Sequence, residues 1–150
     1  MVIKLNENNI QEAVRFHGHL GPFLVLGLKM GKFAKEYINP RDFKDIEVEI
    51  FIHPFKTPES CIIDGIQFSS GCTIGKKNLI IKESDKKEIK AIFRGNNKEL
   101  NIKVKDLVVN IIKHKLSDHH GAGHSHGTIE DVAKEIIDKN IEDLFDYEKK

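Results

Sequence analysis

Residues 16–38 read FHGHLGPFLVLGLKMGKFAKEYI, and the division of this stretch decides the fold. Pro22 suits the first turn of a helix, where its missing N–H costs nothing. From Phe23 to Ile38 apolar residues cover most of a helical circumference, the pattern of a central and largely buried helix. Asn39-Pro40 ends it. Gly27 and Gly31 fall on one face of that helix. Each costs about 1 kcal/mol of helix propensity against alanine, so close packing of another helix, within the chain or across a dimer, should offset them. His17 and His19 stand just ahead of the helix. On an extended backbone, imidazoles at i and i+2 point to one side, and Gly18 removes the side chain that would crowd a shared ligand. The positive end of the helix disfavours imidazolium and favours the neutral ring that binds metal.

Upstream, Asn9 to Phe16 reads as a short helix. Downstream, Ile46 to Ile52 (IEVEIFI) alternates apolar and acidic residues as a half-buried strand does. Thr57-Pro58-Glu59 reads as a helix start, with Thr57 as N-cap, and the helix carries Cys61 and runs to about Ser69. Gly71 to Asn78 is a loop. Leu79–Lys82, Glu88–Phe93 and Glu99–Val104 read as strands, with turns at Asp85-Lys86 and Gly95-Asn96. Asp106 to Leu116 has helical spacing, residues 117–127 form a His-rich loop, and a last helix opens at Thr128, with Asp131 in a capping-box-like position, and runs to about 139. Strands in the middle flanked by helices give an α+β domain, with a central mixed or antiparallel sheet and one domain over residues 1–150.

Composition narrows the function. The chain has 150 residues, 39% apolar and 31% charged, enough to bury a core without staples. With 24 basic and 23 acidic residues it has no electrostatic case for nucleic acid. No apolar run approaches the roughly 20 residues that span a bilayer, and Met1 to Asn9 lacks a signal-peptide pattern, so the expected place is the cytoplasm, with no membrane partner. There, two cysteines point to free thiols, metal ligation or catalysis rather than a disulfide.

Cys61 falls in the first turn of its helix, where the dipole lowers a thiol pKa and favours the thiolate. Asp64, Gly65 and Phe68 share its face. The same position also reads as a small buried cysteine on a core face. Gly71-Cys72-Thr73-Ile74-Gly75-Lys76-Lys77-Asn78 is a glycine-punctuated loop, one residue short of a P-loop and with no Ser or Thr after the lysine, which excludes Walker A binding. It reads as a tight structural loop or as an anion cradle using Lys76. His17, His19, Cys61 and Cys72 together make an N/S donor set suited to zinc or another borderline metal.

FHGHLGPFLVLGLKMG together with CIIDGIQFSSGCTIGKKNL resembles the FmdE family, which takes its name from formylmethanofuran dehydrogenase. His17, Gly18, His19, Pro22, Gly27, Cys61, Asp64, Gln67, Gly71, Cys72, Thr73, Gly75, Lys76, Asn78 and Leu79 match its pattern. Gly21 stands where many members have cysteine and Gly65 where they have alanine, and the sequence has no cysteines like those of the C-terminal zinc finger of many members, so a core-only member is the expectation. The resemblance implies an α+β core with a cleft between the His-x-His turn and the Cys61 helix, metal binding, and a homodimer. It also implies an association with formylmethanofuran dehydrogenase and its one-carbon metabolism.

Two functions follow as expectations. In the first, a divalent metal, zinc by its donors, is held by His17, His19, Cys61 and Cys72. Cys61, Asp64 and His19 carry any catalysis, and Gln67, Thr73 and Lys76 position a small anionic or carbonyl ligand. In the alternative, the chain is a non-enzymatic metallochaperone or assembly factor. Its His-rich loop (His119, His120, His124, His126) then loads metal, with His114 and Asp118 beside it.

Overall fold

The computed structural model describes residues 3–117 and 125–150, with side chains in the second stretch from Ile129 onward. In chain order the elements are α1 (Glu7–His17), α2 (Pro22–Ile38), β1 (Glu47–His53), α3 (Cys61–Ser70), β2 (Leu79–Glu83), β3 (Glu88–Gly95), β4 (Lys98–Val104), α4 (Asp106–Ser117), α5 (Ser125–Ile137), α6 (Ile141–Leu144) and β5 (Phe145–Lys149). The strands form one mixed sheet in the order β2-β1-β3-β4-β5. β1 and β2 are parallel, joined by a crossover through α3, and the other pairings are antiparallel. This is the expected α+β class.

Alternation along the strands sorts the sheet into two faces. Val48, Ile50, Ala91, Phe93, Leu100 and Ile102 are buried beneath the helical layer. The opposite face carries an ion-pair network: Arg94 bridges Glu49 and Glu99, and Lys82 also pairs with Glu49. The sheet is therefore packed on one side, and the helix that covers it is α2. This helix is buried almost all round, as its apolar circumference requires.

The two glycines of α2 meet α3. A Cβ at Gly27 would lie 2.2 Å from the Ile62 carbonyl oxygen, and one at Gly65 would lie 2.3 Å from the Leu24 carbonyl oxygen. Farther along, a Cβ at Gly31 would meet the Ser69 hydroxyl at 2.0 Å. The hydroxyl of Ser69 itself donates to Gly65 O at 2.8 Å, with Gly27 O at 3.2 Å. Position 27 faces residues 62–66 and position 31 faces 69–70, so the helices run in the same direction and their amino ends lie side by side. The Gly27/Gly31 face is thus used inside the chain, not by a dimer contact. Behind this pair, fully buried Lys29 donates to Lys139 O at 2.8 Å and ties the end of α5 to α2. Its burial pulls the ammonium below the usual lysine range, with Asp138 opposing.

Several boundaries differ from the sequence reading. α3 begins at Cys61, with Ser60 rather than Thr57 at the N-cap, because residues 57–60 form a separate turn. α5 begins at Ser125, so Thr128 lies inside the helix and does not cap it. α6 and β5 were not expected. β5 (FDYEK) is a short, charge-rich edge strand, a composition that keeps edges soluble and hides them from hydrophobic patterning.

The α2–α3 contact predicts an ordered pair of losses. Gly27→Ala forces a methyl against backbone and should cost about 1–3 kcal/mol in urea unfolding. Gly31→Ala presses first on a hydroxyl that can rotate and should cost less. Equal costs, or a gain at Gly27, would contradict the packing described.

Candidate metal centre

The residues of the His-x-His turn do not lie on an extended strand. His17 is the last residue of α1, and Gly18 is its left-handed C-cap, with φ 113° and its N–H on Val14 O. A Cβ at Gly18 would meet nothing within 4 Å. Gly18 is therefore needed for its backbone conformation, not to clear space for a ligand. The turn it makes brings the two imidazoles to 4.7 Å between ring centroids.

Because α2 and α3 start side by side, the first residue of α3 faces this turn. The ligand atoms of His17, His19 and Cys61 all lie within 4.8 Å of one another. A tetrahedral zinc ion with bonds of about 2.0–2.3 Å places its donors roughly 3.3–3.8 Å apart, so a modest inward movement brings this group onto one ion. Asp64, one turn along α3, holds His17: its carboxylate accepts from Nδ1 at 2.6 Å. The side chain of His17 is 8% exposed. Its Nε2 is buried with no hydrogen-bond partner among the described residues. A neutral imidazole whose Nδ1–H is held by a carboxylate presents a lone pair at Nε2, the arrangement that orients histidine toward metal. Packing of Phe16 on Phe68 at 6.2 Å fixes the end of α1 against the same face of α3.

The thiol differs from expectation. Burial, reinforced by the nearby charge of Asp64, pushes the Cys61 thiol up rather than down. Desolvation here outweighs the helix dipole. A thiolate at this position needs a cation beside it, and a coordinated divalent ion supplies one. The orphaned histidine nitrogen, the oriented tautomer and the half-buried thiol together fit a metal ion.

Four of the expected site residues are placed elsewhere. The ten-residue helix α3 separates Cys61 from Cys72 by roughly 15 Å of helix. Cys72 is fully buried, its thiol directed to Ile46 O at 3.7 Å. It is a core residue, outside the group that His17, His19 and Cys61 form. Gln67, Thr73 and Lys76 stand at that same far end, where they build the 71–78 loop. Gln67 accepts from Ile74 N, Thr73 accepts from Lys76 N, and the Lys76 ammonium lies over the Phe43 ring. Asn78 completes the loop by accepting from Thr73 N at 2.8 Å. The loop reads as structural for this reason: its polar side chains are turned inward on its own amides. Gly21, read in the sequence only as a departure from the family's cysteine, lies beside His19: a Cβ there would be 3.1 Å from His19 Nε2 and 3.8 Å from the Ile129 Cγ2 methyl. His119, His120 and His124 lie outside the described residues, and so does the side chain of His126.

The molecule is thus an α+β protein with a two-histidine, one-cysteine donor group at the joined amino ends of two parallel helices. The chain belongs to the FmdE family, described as that of the molybdenum formylmethanofuran dehydrogenase operon, which matches residues 16–146. It is also similar to a protein of Archaeoglobus fulgidus named "Probable S-adenosyl-L-methionine-binding protein", 30% identical over 92 residues. That match takes in 61% of this chain but only 25% of the relative, so the chain spans about a quarter of the length of that curated protein. Among the described residues no helix is long and apolar enough to cross a membrane.

Two substitutions separate the roles assigned above. Asp64→Ala frees the His17 ring and should weaken metal binding roughly 10–100-fold in a chelator competition, with the fold intact. Cys72→Ala should lower the unfolding midpoint and leave that affinity unchanged. The opposite pattern would move the site to the far end of α3.

Proposed function

We propose that this chain is a metal-binding member of its family, holding one divalent ion, zinc by donor type, on His17, His19 and Cys61. The observation that carries this reading is the buried Nε2 of His17, which has no hydrogen-bond partner among the described residues, on a ring whose other nitrogen is already held by Asp64. Three protein donors of mixed nitrogen and sulfur type are the pattern of zinc sites that keep a position for water or substrate, in contrast to closed four-ligand structural sites. Such an ion, when bound, supplies Lewis acidity toward a carbonyl or lowers the pKa of a bound water.

The chain's own part is positional. Asp64 fixes the tautomer and angle of His17, which makes it a positioning residue in this proposal. Cys61 contributes the negative charge that offsets the ion. The family's operon supports a role beside formylmethanofuran dehydrogenase, in its one-carbon metabolism, as a metal-dependent partner or accessory. Gln67, Thr73 and Lys76 have no part in this reading, because they serve the loop at the other end of α3.

The test is elemental analysis of protein purified without a His-tag or added metal. Wild type should carry about one metal per chain, and His17→Ala and Cys61→Ala should each lose it. Replacing His119, His120, His124 and His126 by Asn should leave it in place. Metal that survives the first two changes and vanishes with the last would transfer the function to the His-rich segment and favour a metallochaperone.

A further inference from the structure

Glu59 is a buried acid outside the donor group. It belongs to the 57–60 turn ahead of α3, where Cys61 N donates to Pro58 O and Ile62 N to Glu59 O, both at 3.2 Å. Its side chain is only 1% exposed. One carboxylate oxygen, Oε2, accepts from the Lys113 ammonium at 2.8 Å. The other, Oε1, is buried with no hydrogen-bond partner among the described residues. A carboxylate oxygen left in that state carries its full desolvation penalty, and native proteins normally satisfy such atoms with protein, water or ligand.

Glu59 also lines a cavity of about 210 Å³. Asp106, Val109 and Asn110 bound it from one face of α4, and Lys113 stands one turn farther along that face. Pro54, Ile89 and Val109 give it an apolar wall, while exposed His53 and Asn110 mark its mouth. None of His17, His19 and Cys61 lines it. At roughly 30 Å³ per water the volume equals about seven waters, room for a molecule of about five or six non-hydrogen atoms. The cavity and the orphaned oxygen are separate observations, and both point to a ligand.

Charge decides what the cavity takes. Its acids do not gather into a metal-ligating group among the described residues. Each acid is already engaged: Lys113 holds Glu59, Ser84 donates to Glu88, and Lys103 lies 3.6 Å from Asp106. Lys87 adds a further positive charge to the lining. The Lys113 ammonium on the Glu59 carboxylate disfavours a second cation, and the carboxylate itself disfavours an anion. A neutral N–H or O–H escapes both penalties and gains a charge-assisted hydrogen bond. We infer that this cavity is a second binding site, taking a small neutral molecule that donates one N–H or O–H to Glu59 and rests an apolar body on Pro54, Ile89 and Val109. The inference is independent of the metal-binding proposal.

The experiment titrates three five-membered rings into the full chain and follows the backbone amides of Glu59, Ile89 and Val109 in proton–nitrogen correlation spectra. Pyrrole is a neutral N–H donor, furan has no donor, and pyrrolidine is a cation at neutral pH. Pyrrole should shift these amides with saturation, and furan and pyrrolidine should bind at least tenfold more weakly. Glu59→Gln keeps the shape, but its carbonyl turns to Lys113 and its NH₂ replaces the acceptor, so the advantage of pyrrole over furan should vanish. Should that variant misfold, Val109→Phe fills the cavity from α4 and should abolish saturation with Glu59 intact. His17→Ala should leave pyrrole affinity unchanged. Pyrrole that never saturates would mean that the cavity holds only water. Furan binding as well as pyrrole would mean an apolar pocket that ignores Glu59, and tighter binding of pyrrolidine would mean a cation site. Loss of pyrrole binding in His17→Ala would trace the signal to the metal centre. Any of these four results overturns the inference.

Discussion

The backbone-to-backbone approach of α2 and α3 is the constraint on which the rest depends. Gly27 and Gly65 leave no Cβ between the helices, and the Ile62 and Leu24 carbonyls occupy the room. Helices in this register run parallel, so whatever precedes α2 and whatever opens α3 must meet. The His-x-His turn precedes α2, and Cys61 opens α3. The donor group is a consequence of a packing contact roughly one to two turns away, not of local sequence proximity. A change in interhelical distance of an ångström would move Cys61 relative to both histidines, so the glycines act on the site without touching it.

The centre combines groups that are each unfavourable when isolated. A buried imidazole nitrogen without a partner costs about 1–3 kcal/mol. A half-buried thiol beside a carboxylate resists ionisation. Asp64 draws on both: it satisfies one nitrogen of His17 while making the thiolate of Cys61 harder to form. A divalent cation reverses these terms together, accepting the lone pair, stabilising the thiolate and balancing the carboxylate. That shared remedy is the physical argument for a metal, and it does not depend on the identity of any relative.

Much of the fold was legible because strong periodicities were present. The apolar circumference of 23–38 gave α2, and the alternation of IEVEIFI gave β1. The helix starts and the C-terminal strand were less legible. The 57–60 turn imitates a helix start in its residues, and β5 pairs only along one edge, where selection favours charge over apolar alternation. At the site, His17, His19, Cys61 and Asp64 were readable from residue type, but the distance of Cys72 was not. Two thiols flanking a helix look adjacent in sequence, and only the rise along α3 separates them. The direction of the Cys61 shift escapes a sequence reading because the helix dipole is visible there and burial is not. Gly21 stands out in the sequence only as a departure from a family pattern.

The central claim is that one metal ion is held by two imidazoles and a single thiolate, with a non-protein ligand completing its shell. X-ray absorption at the metal edge of the purified protein tests it most directly. The account predicts one sulfur at about 2.3 Å, two imidazole scatterers at about 2.0 Å, and one further light atom without imidazole multiple scattering. Two sulfurs would bring Cys72 into the site, and three or four imidazoles would place the metal on the His-rich segment. Either result would contradict the site described.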